Sequence, residues 1–157
     1  MLLSPHDEPP MRQAIAASRE AMDAGDMPFG ATLVSATGRV LQVSRNRQRS
    51  GADLTAHAEM VLVRDAQAKL GLDAMRGATV YASGEPCAMC SGAMFWAGIA
   101  RVVYGASQQQ IGEALGGPAL PIPCAETLWD AAPAVKVEGP LLGDEALAVL
   151  KAYTPAA

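Results

Sequence analysis

The order of strand-like and helix-like segments constrains the fold more than any other feature of this sequence. A helix opened by Pro9 and Pro10 and stopped by Gly25 precedes two β-branched runs, near 29–35 and 40–46, which an "ATGR" turn joins as a hairpin. A helix in "TAHAEMVLVRDAQAKL", a strand in "ATVYAS", a helix in "PCAMCSGAMFWA" and a strand in "ARVVYGA" follow. This αββαβαβ order predicts a three-layer α/β/α sandwich with a central mixed sheet of about five strands.

The remaining segments carry weaker patterns. We expect Pro86 at the first position of its helix and Gly98 just after that helix ends. Beyond Gly105, "GGPALPIP" predicts a loop, "AETLWDAA" a short helix and "DEALAVLKAY" a closing amphipathic helix. A chain of 157 residues buries about two thirds of its unfolded surface, so we expect a single domain over residues 1–157.

Composition and charge exclude several classes of protein. Half of the residues are apolar and 18% are charged, which is typical of a globular chain. The net charge of −4 predicts no broad attraction to nucleic acid or membranes. Three cysteines and a start, "MLLSPHDEPP", that does not resemble a secretory leader favour a reducing, cytoplasmic location. The apolar run "AMFWAGIA" is too short to cross a bilayer.

The stretch "SGEPCAMCSG" places two cysteines three residues apart at the head of a helix. A redox pair, a structural zinc clip, a catalytic zinc site and core packing would each account for them. Catalytic zinc sites keep three protein ligands, usually thiolate or imidazole, and one open position. The chain has two histidines, and one lies in "TAHAEM". We therefore predict that His57, Cys87 and Cys90 bind one Zn²⁺ per chain.

Glu59 is the predicted catalytic residue, because a structural zinc site has no need for a second carboxylate near its histidine. Residues i and i+2 point about 200° apart on a regular helix, which argues against His57 and Glu59 sharing a site in mid-helix. The hypothesis requires that the pair lie at the first turn, with Thr55 in the preceding cap. Cys124 is predicted to be a buried small residue and not a fourth ligand.

At "HAE" and "PCAMC" the sequence resembles the H-x-E…P-C-x-x-C signature of zinc nucleobase deaminases. Between about residues 10 and 105 it resembles the cytidine deaminase-like superfamily. "MPFGATLV", "TAHAEM", "EPCAMCSGAMFWA" and "RVVYGA" are similar to bacterial guanine deaminases and, almost as well, to tRNA adenosine deaminases. Among the residues of these stretches, Phe29 and Trp96 favour the guanine deaminases. The sequence resembles the fungal cytosine deaminases less.

This resemblance implies hydrolytic deamination of an aminated nucleobase, with guanine or a related purine or triazine favoured. Zinc would lower the pKa of its water, and Glu59 would carry the proton to the ring nitrogen and then to the departing ammonia. Backbone amides near Cys87 and Ala58 are candidate donors to the intermediate. The resemblance also implies a homodimer that packs through the helices near the cysteines.

Several further residues are candidates for base binding. If "SRNRQRS" is extended, Arg45, Arg47 and Arg49 share one face, and Asn46 points the other way, toward the pocket, where its amide suits a purine edge.

The other candidates each have a purely structural alternative. Phe29 either stacks on the base or fills the core, and Trp96 either borders the pocket or packs inside. Glu113 either accepts from a guanine 2-amino group or is a solvated helix residue. Gly84 either enlarges the pocket floor or serves a turn. Tyr153 is the one aromatic candidate in the tail, and the sequence does not place it.

Two alternative functions remain open at this point. A tRNA adenosine deaminase is favoured by the three arginines but disfavoured by the acidic pI near 5.1 and by a tail that is not basic. A non-catalytic, zinc-stabilised interaction module would need Cys124 or His6 as a fourth ligand. Glu59 discriminates between an enzyme and such a module, because only the enzyme needs it.

Overall fold

The structure is a computed structural model that describes residues 3–155. A five-stranded sheet with the order β2-β1-β3-β4-β5 forms its centre. The strands are β1 (Gly30–Val34), β2 (Val40–Arg45), β3 (Thr79–Gly84), β4 (Arg101–Ala106) and β5 (Lys136–Glu138). β1 pairs antiparallel with β2 and β3, whereas β3, β4 and β5 run parallel. The prediction of a mixed sheet of about five strands is confirmed.

Helices cover both faces of this sheet. They are α1 (Glu8–Asp23), α2 (Ala58–Leu70), α3 (Ala88–Trp96), α4 (Gln108–Leu115), α5 (Cys124–Thr127) and α6 (Gly143–Ala152), with short 3-10 helices at Pro5–Asp7 and Leu72–Met75. Val80 and Val102 pack on one face with residues of α2 and α3. Their chain neighbours Tyr81 and Val103 pack on the other face with residues of α1 and α6. Because successive strand residues face opposite ways, the sheet is buried on both sides, which confirms the three-layer sandwich.

The sequence patterns missed α4, β5 and the two 3-10 helices, and they misplaced one residue. Within "QQQIGEALGG", residues Gln108–Leu115 form α4, which Ser107 caps by accepting a hydrogen bond from the backbone N–H of Gln110 at 3.2 Å. β5 is only three half-buried residues long. α3 begins at Ala88 with Cys87 as its N-cap, so Pro86 lies before the helix and not at its first position. A proline ahead of the cap still stops the helix from extending backward.

The carboxyl ends of β3 and β4 position the site. β3 ends at Gly84, two residues before Pro86, and β4 ends at Ala106, just before α4. The backbone N–H of Glu85 donates to the carbonyl of Ala106 at 2.8 Å, which joins the two strand ends. Ligands bind at this edge in open α/β sheets, where the strands stop and the loops diverge. Within residues 3–155, no helix combines the length and apolar character that crossing a membrane requires.

Candidate active site

His57, Cys87 and Cys90 come together where α2 and α3 begin. Nδ1 of His57 lies 3.6 Å from Sγ of Cys87 and 3.6 Å from Sγ of Cys90. All three donor atoms lie within 4.8 Å of one another. A tetrahedral zinc ion with bonds of about 2.3 Å to sulfur and about 2.0–2.1 Å to nitrogen separates its S and N ligands by about 3.6 Å. The three side chains therefore fit a zinc ion.

The electrostatics of the two thiols also favour a cation. The hydrogen bond with Cys90, supported by one with His57, lowers the pKa of the Cys87 thiol to about 4. The same contact with Cys87, together with burial, raises the pKa of Cys90 above its ordinary value. A divalent ion between them stabilises both as thiolates, and the free amides of the first turn of α3 add to that effect.

Glu59 lies at the start of α2, next to the histidine. His57 is the N-cap of α2, with extended backbone angles (φ −60°, ψ 154°), and Glu59 is the second helical residue. Because His57 lies outside the regular helix, its side chain need not point about 200° away from that of Glu59. The side chains of His57 and Glu59 line the same cavity. Glu59 is 6% exposed, and this burial raises the pKa of its carboxyl. Ala58, between them, is buried and contributes the first amide of α2.

A cavity of about 560 Å³ opens above this group. Phe29, Asn46 and nearby residues of the strand ends line one side. Gln108, Ile111 and Leu115 of α4, with residues 116–120, line another side, and we call residues 108–123 the roof. Tyr153 and Pro155 bring the C-terminal tail to the same cavity. The tail residue that the sequence could not place is thus a cavity residue, and its hydroxyl lies 3.5 Å from Sδ of Met27.

Gly84 forms a close contact between the two sides of the cavity. A Cβ atom built on Gly84 would lie 2.8 Å from Cε1 of Phe29 and 2.9 Å from Cδ1 of Ile111. Such distances are shorter than carbon–carbon contact allows, near 3.5 Å. The absence of a side chain at Gly84 therefore lets the aromatic ring and the isoleucine approach each other.

Residues 4–106, which include the three candidate ligands and Glu59, match the family described as cytidine and deoxycytidylate deaminase zinc-binding region. The chain belongs to this deaminase family. The match agrees with the span from about 10 to 105 on which the sequence resemblance rested. The likeness to the cytidine deaminase-like superfamily is confirmed.

Relatives of this deaminase carry several names. A probable cytosine deaminase from Schizosaccharomyces pombe is 37% identical over 158 residues, 96% of this chain and 94% of the relative. The tRNA-specific adenosine deaminase of Agrobacterium fabrum is 40% identical over 107 residues, 68% of this chain and 70% of the relative. A tRNA(Ile)-lysidine synthase from Deinococcus deserti is 42% identical over 107 residues, 68% of this chain but only 20% of the relative's own length.

The structure of a guanine deaminase from Nitrosomonas europaea superposes on the deaminase with a TM-score of 0.79 at 26% identity. The superposition covers 98% of this chain and 86% of that one. The similarity to the cytosine deaminase of Schizosaccharomyces pombe is greater than the sequence motifs indicated, since it spans nearly the whole of both chains. The overall similarity therefore shows the deaminase family but does not identify the base. Evidence on the base has to come from the residues that line the cavity.

Two predicted substrate residues of the deaminase lie outside the cavity. Trp96 ends α3, is 82% exposed and packs edge-on against Phe95 with ring centroids 5.0 Å apart. α3 begins at the zinc ligands, and its nine residues carry the chain about 13 Å away at 1.5 Å per residue. Trp96 therefore lies outside the cavity in which the sequence analysis predicted it.

Glu113 is the second of these residues. It is exposed and accepts a hydrogen bond from Nε2 of Gln109 at 2.9 Å. The face of α4 that meets the cavity carries Gln108, Ile111 and Leu115, which recur at helical spacing. Position 113 falls on the opposite face, so Glu113 also lies outside the cavity in which the sequence analysis predicted it.

The predicted arginine row does not form. β2 ends at Arg45, and the chain then turns, with the N–H of Gly51 donating to the carbonyl of Arg47 at 2.9 Å. Arg45 pairs with the buried carboxylate of Asp26 at 3.0 Å, whereas Arg47 lies 4.0 Å from Asp65. Asp26 also accepts the backbone N–H of Arg49 at 2.9 Å, which bends the loop inward.

The side chain of Asn46 faces the cavity, as the sequence analysis predicted, although no extended strand places it there. It lines the cavity and is 1% exposed. Its backbone N–H donates to the carbonyl of Phe29 at 3.0 Å, which sets the two candidate base contacts side by side. The turn after β2, and not an alternating strand, directs its side chain.

Among the polar residues that line the cavity, sequence reasoning missed Gln48, Glu85 and Gln108. Their polar types were visible, but they act through tertiary hydrogen bonds that no local pattern signals. Cys124 is buried and accepts a hydrogen bond from the hydroxyl of Ser91 at 3.2 Å. Among residues 3–155, the group that could hold a metal contains neither Cys124 nor His6.

Proposed function

We propose that the protein hydrolytically deaminates a free aminated nucleobase, with guanine the favoured substrate, and releases ammonia. The observation that carries the proposal is the buried carboxylate of Glu59 beside a zinc-compatible His57–Cys87–Cys90 group, on the wall of a cavity of about 560 Å³. Membership of the deaminase family supports the reaction class.

The chain supplies the proton transfers of this reaction. Zinc, when bound, contributes a Lewis acid that brings the pKa of a water molecule to about 7. Glu59 is buried, and its raised carboxyl pKa suits a group that must hold a proton between two transfers. It takes the proton from water, gives it to the ring nitrogen beside the amine-bearing carbon, and passes a proton to the leaving amine. Water and the aminated base become the oxo base and ammonia.

The cavity walls supply contacts for a flat ring. Phe29 offers an aromatic face or edge, and Ile111 approaches from the roof across Gly84. Asn46 adds an amide that both donates and accepts. Apolar walls with a few polar groups are typical of small-molecule sites. The likeness to the guanine deaminase of Nitrosomonas europaea, which spans 98% of the chain, supports guanine, and the match to the probable cytosine deaminase over 96% of the chain makes cytosine the first competing base.

A tRNA substrate is the alternative, supported by the 40% identity to the Agrobacterium enzyme. Within the part of the chain that the structure describes, Arg49 is the one arginine or lysine that lines the cavity. RNA affinity depends mainly on phosphate contacts, and the chain carries a net charge of −4. These charges favour a free base.

The homodimer that the resemblance implies stays a prediction, and the exposed Trp96 lies on the helix assigned to its interface.

Ammonia release by the purified zinc-loaded protein tests the proposal. The substrates are guanine, guanosine, adenine, cytosine, cytidine, triazines and a tRNA. We expect turnover of free bases, with the highest kcat/KM for guanine. Activity on the tRNA alone would overturn the proposal in favour of the alternative, and highest activity on cytosine would reassign the base.

Replacement of Glu59 by glutamine tests its role directly. Glu59→Gln keeps the size of the side chain and removes its proton acceptor, so we expect kcat to fall by about 10²–10⁴. Zinc content, measured by metal analysis, should stay at one ion per chain, because Glu59 is not one of the candidate ligands. Glu113→Gln is the matched control on the exposed face of α4 and should leave kcat unchanged. A Glu59→Gln protein with normal kcat would support the non-catalytic module instead.

A further inference from the structure

Both polar atoms of the Asn46 side chain are hydrogen-bonded within its own loop. Oδ1 accepts the backbone N–H of Gln48 at 2.9 Å, and Nδ2 donates to Oε1 of Gln48 at 2.7 Å. A backbone N–H can only donate, so the atom that faces it must be the amide oxygen. The order of oxygen and nitrogen at Asn46 is thus set by chemistry and not by shape, which cannot distinguish the two atoms.

The side chain of Gln48 is oriented by the same logic. Its Nε2 donates to the carbonyl oxygen of Leu54 at 3.3 Å, and a carbonyl can only accept. Its Oε1 is thereby turned toward Asn46. A chain of three hydrogen bonds therefore fixes both amides, and Asn46 lies in it with only 1% of its surface exposed. If the Asn46 amide were turned over, its NH₂ group would face the backbone N–H of Gln48 and its oxygen would face Oε1 of Gln48. Donor would then meet donor and acceptor would meet acceptor at a buried residue, which is unfavourable.

We propose that Gln48 is a positioning residue that locks the Asn46 amide in one orientation and thereby selects the edge of the base. The proposal rests on the proposed function. An amide oxygen has two lone pairs and an amide nitrogen two hydrogens, so Asn46 keeps one donor and one acceptor for a ligand. The complementary edge is a lactam, in which a ring C=O adjoins a ring N–H, as in guanine and cytosine. A diamino base, with an amino group beside an unprotonated ring nitrogen, presents the reverse order.

Two substitutions of Gln48 separate locking from mere packing. Gln48→Met keeps the length of the side chain but removes the acceptor for Nδ2 of Asn46, so only the backbone N–H of residue 48 still opposes turning the amide over. Gln48→Glu keeps an acceptor at that place. Gln109→Met makes the same chemical change on the exposed side of α4, outside the cavity, and serves as the matched control.

The readout is the ratio of kcat/KM for a lactam base to that for its diamino analogue. The pairs are guanine with 2,6-diaminopurine and cytosine with 2,4-diaminopyrimidine. We expect the unmodified protein to prefer the lactam at least about tenfold, since a reversed edge leaves buried polar groups unpaired. Gln48→Met should reduce that preference about tenfold, whereas Gln48→Glu and Gln109→Met should keep it within about threefold.

The outcomes separate this proposal from the proposed function. An unchanged preference in Gln48→Met, or an equal loss in Gln48→Glu, would overturn the role of Gln48. If the unmodified protein releases ammonia from no base, the proposed function itself fails, whatever the variants do. Zinc content and thermal unfolding show whether the variants fold. If the Gln48→Met variant does not fold, Gln48→Ser repeats the test, because its side chain is too short to reach Nδ2 of Asn46.

Discussion

A single missing methyl group shapes the cavity at residue 84. The distances of 2.8 and 2.9 Å from a hypothetical Cβ to Phe29 and Ile111 leave no room for alanine unless one of these side chains moves. Gly84 follows four buried residues in β3 and is itself buried, so the strand cannot easily shift to relieve the contact. The glycine is therefore required by space, and it joins the sheet end to the wall that would face a base.

Gly84→Ala should thus change base binding more than chemistry. We expect KM for the preferred base to rise about tenfold, kcat to change by less than about threefold, and the free energy of unfolding to fall by about 1–3 kcal/mol through overpacking. Steady-state kinetics and urea unfolding measure these quantities. Gly92→Ala is the control, because a Cβ there meets nothing within 4 Å and alanine suits a helix. An unchanged KM in Gly84→Ala would show that Phe29 and Ile111 do not border the bound base.

At the level of elements, Glu85 ties both ends of the roof to one carboxylate. Its Oε2 accepts the first N–H of α4, from Gln108, at 2.8 Å, and its Oε1 accepts the first N–H of α5, from Cys124, at 2.9 Å. Nε2 of Gln108 adds hydrogen bonds to the carbonyls of Pro86 at 3.0 Å and Ile122 at 2.9 Å. Glu85 is two residues from Cys87, so the roof and the metal-binding loop are held at the same point.

Glu85→Gln should loosen the roof without removing zinc. The amide keeps one acceptor and turns its NH₂ group against the second backbone N–H, which frees one end of the roof. We expect KM to rise about fivefold, zinc content to stay constant and proteolysis near Gly116 and Gly117 to become faster. Glu126→Gln, on the exposed side of α5, is the matched control. Equal proteolysis rates and KM values in the two variants would show that Glu85 does not hold the roof.

The elements differ in how far the sequence predicts them, and the reasons are physical. β1 to β4 and α1 to α3 follow from apolar periodicity and from glycine stops, such as Gly98 after α3 with φ +86°. α4 has few apolar residues, and its signal was the Ser107–Gln110 capping box. β5 is too short to show a period.

The candidate site divides in the same way. The metal group could be predicted because thiolate and imidazole chemistry depends on residue type and spacing alone. The arginine row could not, because Asp26, nineteen residues before Arg45 in sequence, accepts from Arg45, from the backbone of Arg49 and from Ser50 and so turns the chain. Contacts of this kind depend on the folded arrangement of distant segments, which local patterns do not contain.

For the whole molecule, a partly buried ion-pair network lies at the end of the sheet opposite the cavity. Nη1 and Nη2 of Arg101, the first residue of β4, donate to the carboxylate of Asp7 at 2.7 and 3.2 Å. Nε of Arg101 donates to Glu138 of β5 at 2.6 Å, and the hydroxyl of Tyr81 donates to Asp7 at 2.6 Å. The network joins the start of the chain to three strands. It lies far from Glu59 in the fold, so it bears on stability and not on catalysis.

The network makes stability depend on pH with a definite sign. The hydrogen bonds from Arg101 hold the pKa of the Asp7 carboxyl well below its ordinary value of about 3.9. A depressed pKa in the folded state means that the stabilisation is fully present above about pH 4 and is lost as the pH falls further. Asp7→Asn should therefore lower the free energy of unfolding at pH 7 by about 2–3 kcal/mol, less than for an isolated buried pair because Glu138 still pairs with Arg101.

Urea unfolding at pH 7, 5, 4 and 3 measures this difference. It should be constant from pH 7 to 5 and shrink below pH 4, because the Asp7 carboxyl then becomes protonated in the unfolded chain while Arg101 still keeps it ionised in the folded protein. Loss of zinc at low pH affects both proteins alike, so it cancels in the comparison. Asp73→Asn, at a residue with a 91% exposed side chain, should change stability by less than about 0.5 kcal/mol at every pH. A difference that persists unchanged at pH 3 would mean that the shape of the Asp7 side chain, and not its charge, carries the stabilisation.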